Sequence, residues 1–372
     1  MPWIWQQPDW PTLNYDVGEL AVSMAAAAQA IGRLHGRIAG LQAGDRDRAV
    51  LASLMADVLK SSAIEGESLD VDAVRSSLAR RLGVEGSGVS RVDRHVEGVV
   101  EMTLDATENA SAPLTVDRLQ AWQGSLFPTG RSGLSAIRVG AWRDDRDGPM
   151  QVVSGPIGRY KVHFQAPPAG RLDEEIARFL RWFESDSTDH PLVRAAIAHL
   201  WFVTLHPFED GNGRVSRAIG DMVLSRHDKV PYRYYSVSAQ LQAERDDYYD
   251  MLERTQRNGL DVTPWLSWFL GVLERAVHRS EAELEKVLVK ALFWQRVASV
   301  PLTERQAKAL NKVLDEFETP LTNRKWAALT KVSSDTALRD LRSLVESGVL
   351  ERTDSGGRSA SYWLVGVPKP TT

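Results

Sequence analysis

The sequence predicts a mainly α-helical protein with one β-hairpin near its middle and a helix, helix, helix, hairpin module toward its end. Three observations predict this. Apolar residues recur at helical spacing over 50–59 and 192–204, two short β-prone runs flank Gly155-Pro156, and β-prone residues return after Val349.

The chain opens with Trp3, Trp5, Trp10 and Tyr15. Three tryptophans in ten residues are too costly to leave in water, so this arm is expected to pack on the body or on a partner subunit. A helix follows from Glu19 to about Gly40. Val50, Leu51, Leu54, Met55, Val58 and Leu59 then form an amphipathic run that ends at Ser61-Ser62-Ala63-Ile64-Glu65-Gly66. Glu65 thus falls at a helix C-terminus, where its sign is wrong for the dipole. Taken alone it reads as a solvated charge. A Gly/Ser-rich break at 83–90 and a polar stretch at 109–113 mark boundaries.

The hairpin is expected from Gly148-Pro149-Met150-Gln151-Val152-Val153-Ser154-Gly155-Pro156 followed by Tyr160-Lys161-Val162-His163-Phe164. Asp189 to Leu205 is apolar on more than one face and reads as a buried helix stopped by Pro207 and the glycines after it. A helical pattern resumes from Val215 to Leu224. Tyr248 and Tyr249 precede Leu252, Gln256 and a helix start at Asp261-Val262-Thr263-Pro264-Trp265.

From about residue 300 the pattern changes. Thr303 caps one helix, residues 322–330 form a second, Ser333-Ser334-Asp335 start a third, and Val349 to Arg352, a Ser355-Gly356-Gly357 turn and Ser361 to Leu364 make a hairpin. That is the order of a winged helix. Candidate DNA contacts are Ser334, Thr336, Arg339 and Arg342 on the third helix, with Arg352 and Arg358 on the wing. Residues 320–366 carry seven basic and five acidic side chains, which supports phosphate binding poorly, and Asp335 and Asp340 on the third helix weaken it further. Protein docking or dimerisation is an equal reading.

The 372 residues allow two or three domains: 1–90 helical, 95–275 central, and 300–366 as the terminal module. The absence of cysteine excludes disulfides, thiolate catalysis and Cys-based zinc sites. A net charge of −4 gives no general affinity for nucleic acid. No stretch of 18 apolar residues exists and Met1-Pro2-Trp3-Ile4-Trp5 lacks the features of a signal peptide, so no membrane association and a cytoplasmic location are expected.

The most informative segment is His206-Pro207-Phe208-Glu209-Asp210-Gly211-Asn212-Gly213-Arg214-Val215-Ser216-Arg217. A Gly-Asn-Gly loop can aim successive backbone N–H groups at one point, and the next helix adds its positive dipole end. Arg214 and Arg217, spaced i, i+3, suit forked contact with phosphate oxygens. Asp210 is a hard ligand suited to Mg²⁺. His206 can take a proton from an attacking hydroxyl near neutral pH. The combination is an inventory for handling a phosphate ester.

This segment resembles, without departure at the defining positions, the Fic-family motif HxFx(D/E)GNGRxxR, with the family core over about residues 95–275. The resemblance implies a mainly helical enzyme that moves AMP from ATP to a hydroxyl side chain of a target protein, itself included. It implies His206 as general base, Asp210 as Mg²⁺ ligand, Gly211, Asn212 and Gly213 as anion hole, and Arg214 and Arg217 as phosphate contacts. It also implies that Ser61, Glu65 and Gly66 fill the inhibitory pattern (S/T)xxxE(G/N), with Glu65 pairing Arg217 against the γ-phosphate. The hairpin then resembles the family's flap, which aligns the target segment by strand addition, and Val152, Val153, Ser154 and Gly155 border the nucleotide. Tyr248, Tyr249 and Gln256 resemble residues beside adenosine, although Gln256 departs from the asparagine of some relatives and the tyrosines can equally be core packing. A homodimer, AMP removal instead of transfer, and a DNA-binding regulator with the core as nucleotide sensor remain alternatives or companions to the main expectation.

Overall fold

The structure, a computed structural model, describes residues 2–83, 93–146, 148–156, 159–228, 232–316, 320–352 and 360–367. It comprises two compact units, Met1–Ser280 and Glu281–Thr372. The expected break at 83–90 lies outside the described residues except for Gly83, which ends a helix in the left-handed conformation.

In the first unit the tryptophan-rich arm packs on the body of its own chain. Trp5 and Trp10 are each 7% exposed, and their indole N–H groups donate to the Gln165 carbonyl (2.7 Å) and the Glu175 carboxylate (3.0 Å). Burial of the rings with satisfied N–H groups is what makes the arm adhere. Then come α1 (Val17–Ala39), capped by Asp16, α2 (Ala43–Ile64), α3 (Val71–Leu82), α4 (Arg94–Glu108) and α5 (Val116–Leu126). Residues 109–113, expected as a boundary, join α4 to α5, which pack on each other inside this unit. A polar connection between packed helices carries the same local signal as a linker.

Two short antiparallel hairpins follow, β1 (Arg131–Ser132) with β2 (Ser135–Ala136), and β3 (Gln151–Ser154) with β4 (Lys161–Gln165). Next are α6 (Leu172–Glu184), α7 (Pro191–Leu205), α8 (Asn212–Asp228), α9 (Val237–Ala243), α10 (Arg245–Arg257) and α11 (Thr263–Arg296), whose residues after Ser280 belong to the second unit. Every residue of α7 from Ala195 to Leu205 is buried, which explains its apolar residues on all faces. It is the central helix, with α8 against it and the Trp265 indole donating to the Ala196 carbonyl at 2.9 Å. The α2 helix packs against α8 and α9 and so reaches the same centre from outside the segment that carries the motif.

The second unit contains α12 (Glu304–Glu316), β5 (Leu321–Thr322), α13 (Asn323–Thr330), α14 (Ser334–Glu346), β6 (Leu350–Arg352) and β7 (Ser361–Leu364). The strands form one antiparallel sheet in the order β5-β7-β6, around a core that includes Leu310, Trp326, Leu341, Leu344 and Tyr362. Thr322 and Ser333 cap α13 and α14. The Ser355-Gly356-Gly357 turn and Arg358 lie outside the described residues. Ser334, Arg339 and Arg342 are exposed on α14, while Asp340, counted from sequence against an anion-binding face, turns inward. It accepts from the Arg305 guanidinium (2.9 Å) and the Trp326 indole (3.3 Å), and its charge is spent there.

Candidate active site

The site begins where α7 stops. His206 takes a left-handed conformation (φ 46°) and its backbone N–H closes on the Phe202 carbonyl, while Pro207 ends the helix. Its Nδ1 lies 3.2 Å from the Val203 carbonyl. A carbonyl only accepts, so Nδ1 carries the hydrogen and Nε2 keeps its lone pair. Burial lowers the imidazole pKa, and nearby Arg143 lowers it further, against the Val203 carbonyl, Glu65 and Asp210, which raise it. The ring is therefore neutral at physiological pH, as a proton acceptor must be.

Sequence reasoning missed Arg143. It is 3% exposed, its Nε donates to the His206 carbonyl at 2.8 Å and its Nη2 to the Pro167 carbonyl at 2.5 Å, and its backbone N–H binds the Pro207 carbonyl at 2.9 Å. It thus pins the turn that presents His206. An arginine in an irregular stretch has no local pattern by which to recognise such a role.

The loop after Pro207 is closed by the Asn212 amide, which accepts from the Phe208 N–H (2.9 Å) and donates to the Phe208 carbonyl (2.8 Å). The Asn212 side chain is therefore occupied in holding the turn. The sequence suggested a Gly-Asn-Gly loop ahead of the helix, but α8 starts at Asn212, so Gly213 and Arg214 belong to its first turn and Arg217 to its second. Gly211 has φ +89°, where a side chain would be strained and its Cβ would lie 3.0 Å from the Phe127 ring. Asp210 accepts from the Gly211 N–H and the Ser132 hydroxyl.

Glu65 reaches this helix start from the end of α2. Its Oε1 lies 2.8 Å from Arg217 Nη2, and a Cβ placed on Gly213 would stand 2.1 Å from the same oxygen. The carboxylate therefore lies on the N-terminal turn of α8, where the dipole and free N–H groups favour an anion. Ser61 completes the grip on Arg217, with its hydroxyl 2.9 Å from Nε and its carbonyl 2.8 Å from Nη2. Arg217 is 3% exposed, so its charge is held almost wholly by these partners. Gly66 turns the chain away at φ +81°, and Arg245 and the Tyr249 hydroxyl donate to the Ile64 carbonyl, anchoring the end of α2. Arg214 is paired as well, with Glu67 Oε2 2.6 Å from its Nη1.

These groups border a cleft of about 620 Å³ lined by Glu65, Val152, Val153, Ser154, His206, Gly213, Tyr248, Tyr249 and Gln256. Gly155 lies at the end of β3 with φ +103° and is not among the lining residues. Tyr248 is buried, its hydroxyl 2.8 Å from His199, and the Gln256 amide donates to the Thr204 hydroxyl at 3.1 Å. The Tyr248 hydroxyl and the Gln256 Nε2 are thus engaged within the core.

Residues 113–224 match the Fic/DOC family model, and residues 3–84 match a family described as a domain of unknown function (DUF4172). The chain is 24% identical over 239 residues to protein adenylyltransferase Fic of Nematostella vectensis, covering 62% of this chain and 49% of that protein. It is 28% identical over 261 residues to the protein of the same name from Drosophila grimshawi, covering 69% and 48%. The chain thus spans about half the length of the curated relatives it matches. Among solved structures it shares its fold with a Fic family protein from Desulfovibrio desulfuricans (TM-score 0.52, 23% identity, 94% of this chain and 97% of that one). A Fic domain containing signaling protein from Bacteroides thetaiotaomicron is similar too (TM-score 0.51, 18% identity, 69% and 96%). With the motif at the start of α8 and the family match over residues 113–224, that stretch of the chain is a Fic/DOC domain.

Proposed function

We propose that the protein is an adenylyltransferase that moves AMP from ATP to a hydroxyl side chain of a target protein and is restrained by its own Glu65. The observation that carries this reading is the Glu65–Arg217 pair, 2.8 Å apart on the N-terminal turn of α8. An anion already lies where the motif is built to bind one, so the site selects negative charge and is occupied by an internal competitor. The name of the curated relatives, protein adenylyltransferase Fic, supports the chemistry.

In this reading the phosphates settle on the backbone N–H groups at Gly211 to Gly213 with Arg214 and Arg217 against their oxygens. His206 Nε2 accepts the proton of the target hydroxyl as its oxygen attacks the α-phosphorus, and pyrophosphate leaves. The β3–β4 flap presents the target segment, and Val152 to Ser154 border the nucleotide. Asp210 is a single carboxylate beside the phosphate nest, which fits Mg²⁺, an ion that takes one or two carboxylates together with phosphate oxygens. Among the described residues no cluster of three or more metal-binding side chains exists, consistent with an ion completed by substrate. Mg²⁺ would neutralise phosphate charge.

Glu65→Gly is expected to raise the rate of protein labelling from α-radiolabelled ATP at least about tenfold, the scale of a coupling of 1–3 kcal/mol. His206→Ala should abolish labelling in that background. Labelling absent with Glu65→Gly, or persisting with His206→Ala, would overturn the assignment.

A second role is suggested by the exposed α14 residues Ser334, Arg339 and Arg342, from which Asp340 is withdrawn while Asp335 stays exposed beside them. The order α12, β5, α13, α14, β6, β7 supports a winged helix. Salt-dependent retention of duplex DNA by the full chain, lost on replacing Arg339 and Arg342, would support DNA contact. Retention that survives both replacements would count against it.

A further inference from the structure

The flap and α10 hold polar side chains to which the proposed transfer reaction gives no chemical role. In the β3–β4 pairing Val152 faces Phe164 and Val153 faces Val162, so His163 is an extra residue in a β-bulge. A bulge redirects a side chain out of the regular alternation. Here the His163 ring stands with Nε2 2.6 Å from Ser154 Oγ and Nδ1 2.5 Å from Glu253 Oε2. Arg257 holds the bulge from α10 by donating to the Val162 carbonyl at 2.8 Å and the His163 carbonyl at 3.3 Å. Ser154, His163 and Glu253 all line the cleft that also contains His206 and Glu65.

The polarity of the relay follows from the acceptors. An ionised carboxylate only accepts, so His163 Nδ1 carries the hydrogen, Nε2 has the lone pair, and the Ser154 hydroxyl donates to it. Nucleophile, base and orienting carboxylate are thus in register and within hydrogen-bond reach, the arrangement that activates a serine. Ser154 is exposed, so its hydroxyl is open to an electrophile. A latch between hairpin and α10 would require only the His163–Glu253 contact.

We propose that Ser154 is a site of covalent self-modification, a hydroxyl nucleophile that takes the adenylyl group of ATP bound in the cleft, with His163 as its general base and Glu253 orienting that base. The proposal rests on the reading of the cleft as a nucleotide site. A bond forms between Ser154 Oγ and the α-phosphorus, the bond from that phosphorus to the oxygen bridging the β-phosphate breaks, and pyrophosphate departs. The proton of the hydroxyl passes to His163 Nε2. The product is a phosphodiester between Ser154 and AMP, and no oxidant or reductant is needed.

The test uses the full chain, wild type and Glu65→Gly, incubated with α-radiolabelled ATP in the presence of a cell lysate, followed by peptide mapping. The expected result is an adenylyl group on Ser154. His163→Gln should lower label on Ser154 at least about tenfold relative to label elsewhere in the same reaction, as loss of a general base does, and Glu253→Gln should act in the same direction. Label on other residues or proteins with none on Ser154 overturns this inference and leaves the transfer reading standing. No protein label anywhere overturns both. A ratio unchanged in His163→Gln overturns the assignment of the base.

Discussion

Glu67 Oε2 stands 2.6 Å from Arg214 Nη1, two residues beyond the carboxylate that holds Arg217. Both arginines of the motif are therefore paired with carboxylates from one short turn after α2. Arg214 is 1% exposed and also lies over the Phe127 ring at 5.0 Å, so it has little water to fall back on. Glu67→Gln is expected to destabilise the unliganded protein by about 1–3 kcal/mol, the cost of leaving a buried charged donor short of its partner. The rise in Tm on adding ATP should then exceed that of wild type, because phosphate restores the missing anion. Differential scanning fluorimetry with and without ATP measures both, and an equal ATP-induced rise would contradict the pairing's role.

The Glu67 contact with His95 should make stability depend on pH near neutrality. The hydrogen bond to Glu67 raises the His95 pKa, outweighing burial and Arg214, which lower it. A raised folded value means the stabilisation is complete below about 6.5, the ordinary imidazole value, and is lost as pH rises through the folded one. For Glu67, burial raises the pKa, but the bonds to His95 and Arg214 outweigh it and hold the carboxyl below its usual range. That contribution exists above the ordinary carboxylate value and fades as pH falls through the depressed one. The difference in Tm between wild type and His95→Asn should therefore shrink from pH 6 to pH 9, in a series of about one-unit steps around the ordinary imidazole value. A constant difference would exclude the coupling.

Asp57 on α2 sits with Arg233 and Asp221 in the core, 3.5 Å from the guanidinium that Asp221 holds at 2.6 Å. Burial pushes its pKa up to about 7, the like charge of Asp221 adds to this, and Arg233 opposes it. A carboxyl raised in the folded state stabilises most below its unfolded value of about 3.9, and that stabilisation is lost as pH climbs toward the folded value. Asp57→Asn, which keeps shape and the option of accepting from Ser236, should flatten the decline over this window. Denaturant titrations at several pH values provide the check, and an undiminished decline would place its origin elsewhere.

Arg143 binds the main chain at His206 and at Pro167 and is paired with Asp145 at 3.0 Å. Arg143→Met should free the turn that presents His206. The expected outcome is a fall in kcat for labelling of about 10²-fold, the cost of misplacing a catalytic group, with a smaller change in KM for ATP. Steady-state labelling kinetics separate the two, and a loss confined to KM would mean that Arg143 serves binding instead.

Much of this site was legible in the linear sequence because its chemistry is packed into twelve residues. His206, Asp210, Gly211 and both arginines are close in the chain, and a glycine at φ +89° or a helix stopped at Pro207 follows from local backbone rules. Thr303 was readable as a cap for the same reason, and its hydroxyl accepts from the Gln306 N–H at 3.2 Å. The pairing of Glu65 with Arg217 was suggested by pattern resemblance, since no local rule connects residues 152 positions apart.

By itself the sequence determined the helical class, the hairpin, the clustering of His206, Asp210, the glycines and both arginines in twelve residues, and the positions of caps and turns, all of which depend on neighbours within a few residues. Only the tertiary structure decided that Glu67 holds Arg214, that Arg143 clamps the His206 turn, that Asp340 faces inward, and that the β3–β4 bulge brings Ser154, His163 and Glu253 together. Those relationships depend on burial and on which charged group fills the space left by another. Packing across distant helices and a one-residue change of strand register set them, and neither leaves a periodic trace in the chain.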